Sequence, residues 1–98
     1  GGDQARILEL VKDTTLDAEL HKRFSQGIVI AGTSAGAAMM PDKMIVEGES
    51  ETHPRPDTVK MDRGMGFLPN VIIDQHFAQR GRLNRLLSAV ALEPATLG

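Results

Sequence analysis

The apolar positions change their period along the chain, and each change marks an expected element. After Gly1, Gly2 and Asp3, the apolar residues Ile7, Leu8, Leu10 and Val11 fall at the spacing of a short amphipathic helix in "GGDQARILELVK". "TLDAELHKRFSQG" predicts a second helix, with Thr15 as cap, Asp17 and Glu19 in the favourable first turn, Leu16, Leu20 and Phe24 on one face, and Gly27 at the end. "IVIAG", residues 28–32, is a continuous apolar run of β-branched residues closed by glycine, the pattern of a strand buried on both faces of a parallel sheet. "AGAAMM" then starts a helix that stops near Pro41 and Asp42.

"KMIVEGE" reads as a short strand. The stretch from Ser50 to Gly66, punctuated by Pro54, Pro56, Gly64 and Gly66, is expected to be irregular. "NVIIDQHF" is a second buried strand that runs out into polar residues. "AQRGRLNRLLSAVAL" follows as a helix with Leu83, Leu86, Leu87, Val90 and Leu92 turned to the core. Helices alternating with apolar strands indicate an α/β layered fold with parallel strands. Two firm strands make too small a sheet to stand alone, so residues 1–98 are expected to be one part of a larger domain.

Composition narrows the classes. A net charge of −2 over 98 residues, with 41% apolar residues, fits a globular unit and lacks the basic excess of a general nucleic-acid binder. No apolar stretch reaches the roughly 18 residues that span a bilayer and no secretion signal is visible, so no membrane role and a cytoplasmic location are expected. The absence of cysteine removes disulfides, thiolate metal sites and cysteine nucleophiles together.

The chemistry concentrates between residues 30 and 40. "GTSAG" matches G-x-S-x-G and lies between an expected strand and an expected helix, the context of a nucleophile elbow. There Ser34 is the candidate nucleophile and the Ala35 N–H a candidate oxyanion donor; a close-packing turn of small residues is the other reading. A serine hydroxyl needs a base, usually histidine. His21, on an amphipathic helix, and His53, in the Pro-rich stretch, read as solvated. His76 follows "VIID" at a strand end, where open α/β sheets gather their catalytic groups. Arg80, Arg82 and Arg85 cluster at the positive end of a helix dipole, where they are unfavourable unless they bind anions or buried carboxylates; a solvated basic face is the alternative.

"GGDQ", "GTSAGAAMM", "GFLPNVIIDQHFAQRGRLNRLL" and "SAVALEPATLG" together resemble the central part of the cyanophycinases, in the serine peptidase family that also contains aspartyl dipeptidase. "DQHF" followed by R-x-R-x-x-R is the specific part of the resemblance. It implies that Ser34 is the nucleophile and His76 its base. It also implies that Gln4, Asp74, Gln75, Arg80, Arg82 and Arg85 form the substrate pocket, and that Gly2 and Asp3 lie beside the oxyanion hole. The implied fold is a three-layer α/β sandwich with a mostly parallel sheet, similar to class I glutamine amidotransferase-like domains. The implied substrate is cyanophycin, a poly-aspartate backbone with arginine on each side chain, cut to β-Asp-Arg dipeptides without metal or cofactor. A homodimer is compatible with this.

The resemblance also implies an acid that orients the histidine, on a strand beyond residue 98. Glu93, beside Pro94 at a helix end, is the acid of the chain nearest to that place. A dipeptidase acting on short Asp-containing peptides, or a silent binding domain with an amidotransferase-like fold, remain as alternative readings.

Overall fold

The computed structural model describes residues 2–48 and 55–98; the readings of His53 and Pro54 lie outside the described residues. Helices α1 (Gln4–Val11), α2 (Thr15–Ser25), α3 (Ala35–Ala38) and α4 (Leu83–Leu92) combine with strands β1 (Lys43–Gly48) and β2 (Val59–Arg63) in one small α/β unit. No helix is long and apolar enough to cross a membrane among these residues.

Local chemistry sets most of the boundaries. The Asp3 carboxylate accepts from Ala5 N at 2.9 Å and Arg6 N at 3.4 Å, which satisfies amides at the open end of α1. Helix α2 is capped by Thr14, one residue before the expected Thr15, because it is the Thr14 hydroxyl that faces Asp17 N. Gly27, at φ +96°, lets the chain leave α2 in a left-handed turn. α3 ends at Ala38, Met39 and Met40 turn the chain, and Pro41 and Asp42 lead it into β1.

β1 and β2 pair antiparallel, with an irregularity in register between Ile45 and Glu47. β2 was not expected, since it lies inside the stretch read as irregular. Two small cores flank the sheet. Leu8, Met39, Met44, Met65 and Phe67 form one, and Ile45, Val59, Ile72 and Ala89 the other.

Three expectations need correction. Residues 28–32 do not form a strand: Ile28 is exposed and Val29 is 90% exposed. Residues 71–75 are not a strand either, although Ile72 is buried and Val71 makes a single parallel bridge to Leu97. The physical reason is common to both. A strand needs a neighbouring backbone to take up its N–H and C=O groups; among the described residues none runs alongside 28–32, and beside 71–75 only Leu97 does so, accepting from Ile72 N and donating to Asn70 O. Among the described residues the parallel sheet is therefore not formed, and parallel pairing is confined to the isolated bridges Pro41–Leu68 and Val71–Leu97.

Helix α4 is the third case. It begins at Leu83, after a turn through Gly81 at φ +59°, and it buries Arg85, Ser88 and Ala89. Leu83, Leu87 and Leu92 are exposed, and only Leu86 and Val90 pack against the second core. On α2, Leu16 is exposed in the same way, while Phe24 keeps an edge-on contact with Phe67. His21 keeps 38% of its side chain exposed but is not merely solvated. Its ring stacks on Phe67, and Nε2 lies 2.7 Å from Met65 O and 3.3 Å from the Asp17 carboxylate.

Candidate active site

Ser34 stands at the sharp change of direction between the extended segment and α3, with φ +53° and ψ −123°. A non-glycine residue in that region is strained, and such strain gathers at functional turns. The two motif glycines serve this turn differently. A Cβ on Gly32 would come within 2.4 Å of Gly36 O and 2.6 Å of Gly36 C, so the backbone crosses itself where only glycine fits. A Cβ on Gly36 would meet nothing within 4 Å.

The turn brings Ser34 Oγ to 3.0 Å from His76 Nε2, joining residues 42 apart in sequence. Gln75 Oε1 lies 3.5 Å from the same hydroxyl. His76 also has a positive φ, +51°, and its carbonyl accepts from Arg80 N at 3.1 Å. Both members of the pair are thus presented by strained backbone.

Behind the histidine lies a buried charged cluster. The Asp74 side chain is only 2% exposed and accepts from its own neighbour Gln75 N at 2.9 Å. Arg85 Nε donates to Asp74 Oδ2 at 2.8 Å and Nη2 donates to Oδ1, a two-pronged pair. The remaining Arg85 nitrogen, Nη1, donates to Gly48 O at 3.0 Å, at the end of β1. Arg82 Nη1 donates to Gln75 O and lies 3.5 Å from Asp74 Oδ1. Burial, reinforced by the Arg85 cation, holds the Arg82 guanidinium below its ordinary value; Asp74 acts in the opposite direction.

The other expected site residues are spread more widely. Arg80 is exposed on the turn before α4, unlike Arg82 and Arg85. Gln4 is buried and donates from Nε2 to Ile45 O at 2.8 Å, so its amide ties α1 to β1. Gly2 is exposed at φ +104°, Asp3 caps α1, and Ala35 is fully buried at the start of α3. Glu93 pairs with Lys43 and has no contact with His76. The Gly48 carbonyl is a site partner that sequence reasoning missed. No side chain signals it, because the contact is made by backbone.

An exposed imidazole within hydrogen-bonding distance of a serine hydroxyl can accept its proton as the oxygen attacks a carbonyl. The chain resembles known proteins along its whole length. The chain is 46% identical over 99 aligned positions to the cyanophycinase of Geminocystis herdmanii (strain PCC 6308), with 100% of this chain and 36% of that protein covered. It is 46% identical to the cyanophycinase of Trichormus variabilis (strain ATCC 29413 / PCC 7937) and 42% identical to that of Synechococcus elongatus, covering 33% and 31% of those proteins. The chain therefore spans about a third of the length of the curated relatives it matches. The sequence model of peptidase family S51 matches residues 1–98. Because that match runs the full length of the chain, and takes in both the serine turn and the histidine beside it, the chain belongs to peptidase family S51.

Proposed function

We propose that the full-length protein is a serine-type exopeptidase of the cytoplasm that hydrolyses cyanophycin to β-Asp-Arg dipeptides, with Ser34 as nucleophile and His76 as base. The observation that carries this reading is the 3.0 Å approach of Ser34 Oγ to His76 Nε2 at a strained turn. The names of the relatives support the choice of polymer. Oγ attacks the scissile carbonyl while its proton passes to Nε2. The tetrahedral oxyanion is held by backbone N–H groups of Ala35 and of the Gly2–Asp3 segment. Collapse returns the proton from Nε2 to the leaving amine, and water then hydrolyses the acyl-serine by the same route in reverse. In the whole protein the acid that orients His76 comes from beyond residue 98, and the segment takes its place in a three-layer α/β sandwich.

Each cyanophycin unit offers an arginine carboxylate and a guanidinium. Gln75, beside the nucleophile, and the exposed Arg80 are the pocket residues presented to them; Gln4, Asp74, Arg82 and Arg85 stand behind. One observation favours the rival reading of a dipeptidase acting on short Asp-containing peptides: Arg82 and Arg85, which set the cyanophycin reading apart, are already engaged with Asp74 and Gln75. The deciding experiment is clearance of a suspension of insoluble cyanophycin by the full-length protein and by its Ser34→Ala variant. Clearance by the first and not the second is expected. Clearance by the Ser34→Ala variant would remove Ser34 from the mechanism, and no clearance by the unaltered protein, with cleavage of short peptides, would favour the dipeptidase.

A further inference from the structure

We propose that Arg82 and Arg85 are positioning residues for His76, fixing the peptide groups that carry it, and do not bind substrate. The proposal rests on Ser34 and His76 being the catalytic pair. It starts from burial: Arg82 and Arg85 are both buried, and the Asp74 carboxylate between them is nearly sealed from solvent. A substrate carboxylate approaching either guanidinium would have to displace a paired, buried carboxylate, an exchange that leaves a charge unpartnered.

What the pair does hold is the backbone just before the histidine. The N–H of Gln75 donates to Asp74 Oδ1, and the carbonyl of Gln75 accepts from Arg82 Nη1. The two peptide groups flanking Gln75 are therefore clamped, one through its donor and the other through its acceptor. The second of them begins the φ rotation of His76, which stands at +51°. That conformation is unfavourable for a residue with a Cβ and persists only where the surroundings over-determine it. Arg85 completes the frame. It grips both Asp74 oxygens and reaches the Gly48 carbonyl at the end of β1, so the clamp is referenced to the sheet. Loss of Arg82 frees the Gln75–His76 peptide to rotate, and Nε2 leaves the hydroxyl. Arg80, outside the clamp and exposed, is the one guanidinium of the three left for a substrate anion.

The test compares Arg82→Gln and Arg82→Lys in the full-length protein. It reads kcat and KM for β-Asp-Arg release and, beside them, the rate constant for labelling of Ser34 by a small serine-directed phosphonate that offers no carboxylate. Loss of one charge-assisted bond predicts that kcat and the labelling rate fall together by about ten- to a hundredfold in Arg82→Gln, with KM within about threefold. Arg82→Lys, which keeps a cationic donor, recovers part of both rates. A raised KM with unchanged labelling overturns the proposal in favour of substrate binding. Rates that fall only in proportion to the folded fraction, measured by circular dichroism, overturn it in favour of a purely structural role. If Arg82→Gln does not accumulate, Arg82→Lys is read by the same two rates. Turnover that survives Ser34→Ala sinks the catalytic pair itself, whereas loss of turnover there, with normal labelling of the Arg82 variants, sinks the positioning role alone.

Discussion

Replacing each motif glycine by alanine separates their two roles. At Gly32 the added methyl would lie 2.4 Å from Gly36 O, 2.6 Å from Gly36 C and 2.7 Å from Met40 Cε. The methionine methyl can swing aside, but the first two atoms are backbone of α3 and can yield only by moving the turn. Overpacking of this kind costs about 1–3 kcal/mol. At Gly36, within α3 and with nothing inside 4 Å, alanine removes unfolded-state freedom and favours the helix by roughly 0.5–1 kcal/mol. The two variants should therefore differ by about 1.5–4 kcal/mol in the stability of the full-length protein, read from urea midpoints at a common slope. Phosphonate labelling of Ser34 should slow in Gly32→Ala and stay near normal in Gly36→Ala. Equal losses from both, or a neutral Gly32→Ala, would refute the crossing of backbones at the turn.

Asp74→Ala leaves two buried guanidinium groups without their carboxylate, and should lower stability by about 3–5 kcal/mol in urea titration; a loss below about 1 kcal/mol would mean that the pair is solvated. Arg80→Ala should raise KM for β-Asp-Arg release while leaving Ser34 labelling intact, and an unchanged KM would place the substrate carboxylate elsewhere. The isolated 98-residue chain, with Leu10, Val29 and Leu97 among its exposed apolar residues, should bind a hydrophobic dye and self-associate; a sharp, cooperative melt of a monomer would count against this.

The sequence made the helices legible because their signals are local. The caps, the glycine after α2 and the 3.6-residue spacing of α1 act within a few residues; the boundaries that moved were the cap of α2, the end of α3, which comes at Ala38, and the start of α4. The strands were harder. The "IVIAG" and "VIIDQ" runs record a demand for apolar burial, but a strand also needs a partner backbone, which no pattern within the run specifies. β2 escaped because the prolines and glycines on either side of it outweighed the alternation of Val59 and Met61. The exposed leucines of α4 show the same limit of periodicity: a helix can have a face that its own segment does not cover. At the candidate site, the motif and the place of His76 after an apolar run brought Ser34 and His76 together on paper, although the run forms no strand. The arginine cluster pointed to carboxylates without saying whose, and the structure supplies Asp74 of the chain itself as one.

Ser34 and His76 share a feature that sets the direction in which this segment can drift. Both occupy left-handed backbone, where glycine would be at ease and a side chain costs of order 1–3 kcal/mol. At these two positions the fold and the proposed chemistry favour different residues. A Ser34→Gly change relaxes the turn while deleting the hydroxyl, so on the proposed mechanism activity is lost here with a gain in stability. The reverse holds at Asp74 and Arg85, where any loss is felt first by the fold. Silent descendants of such a segment should therefore be well-folded proteins with the elbow relaxed and the buried ion pair kept, and an intact charge cluster on its own is no sign of a working enzyme.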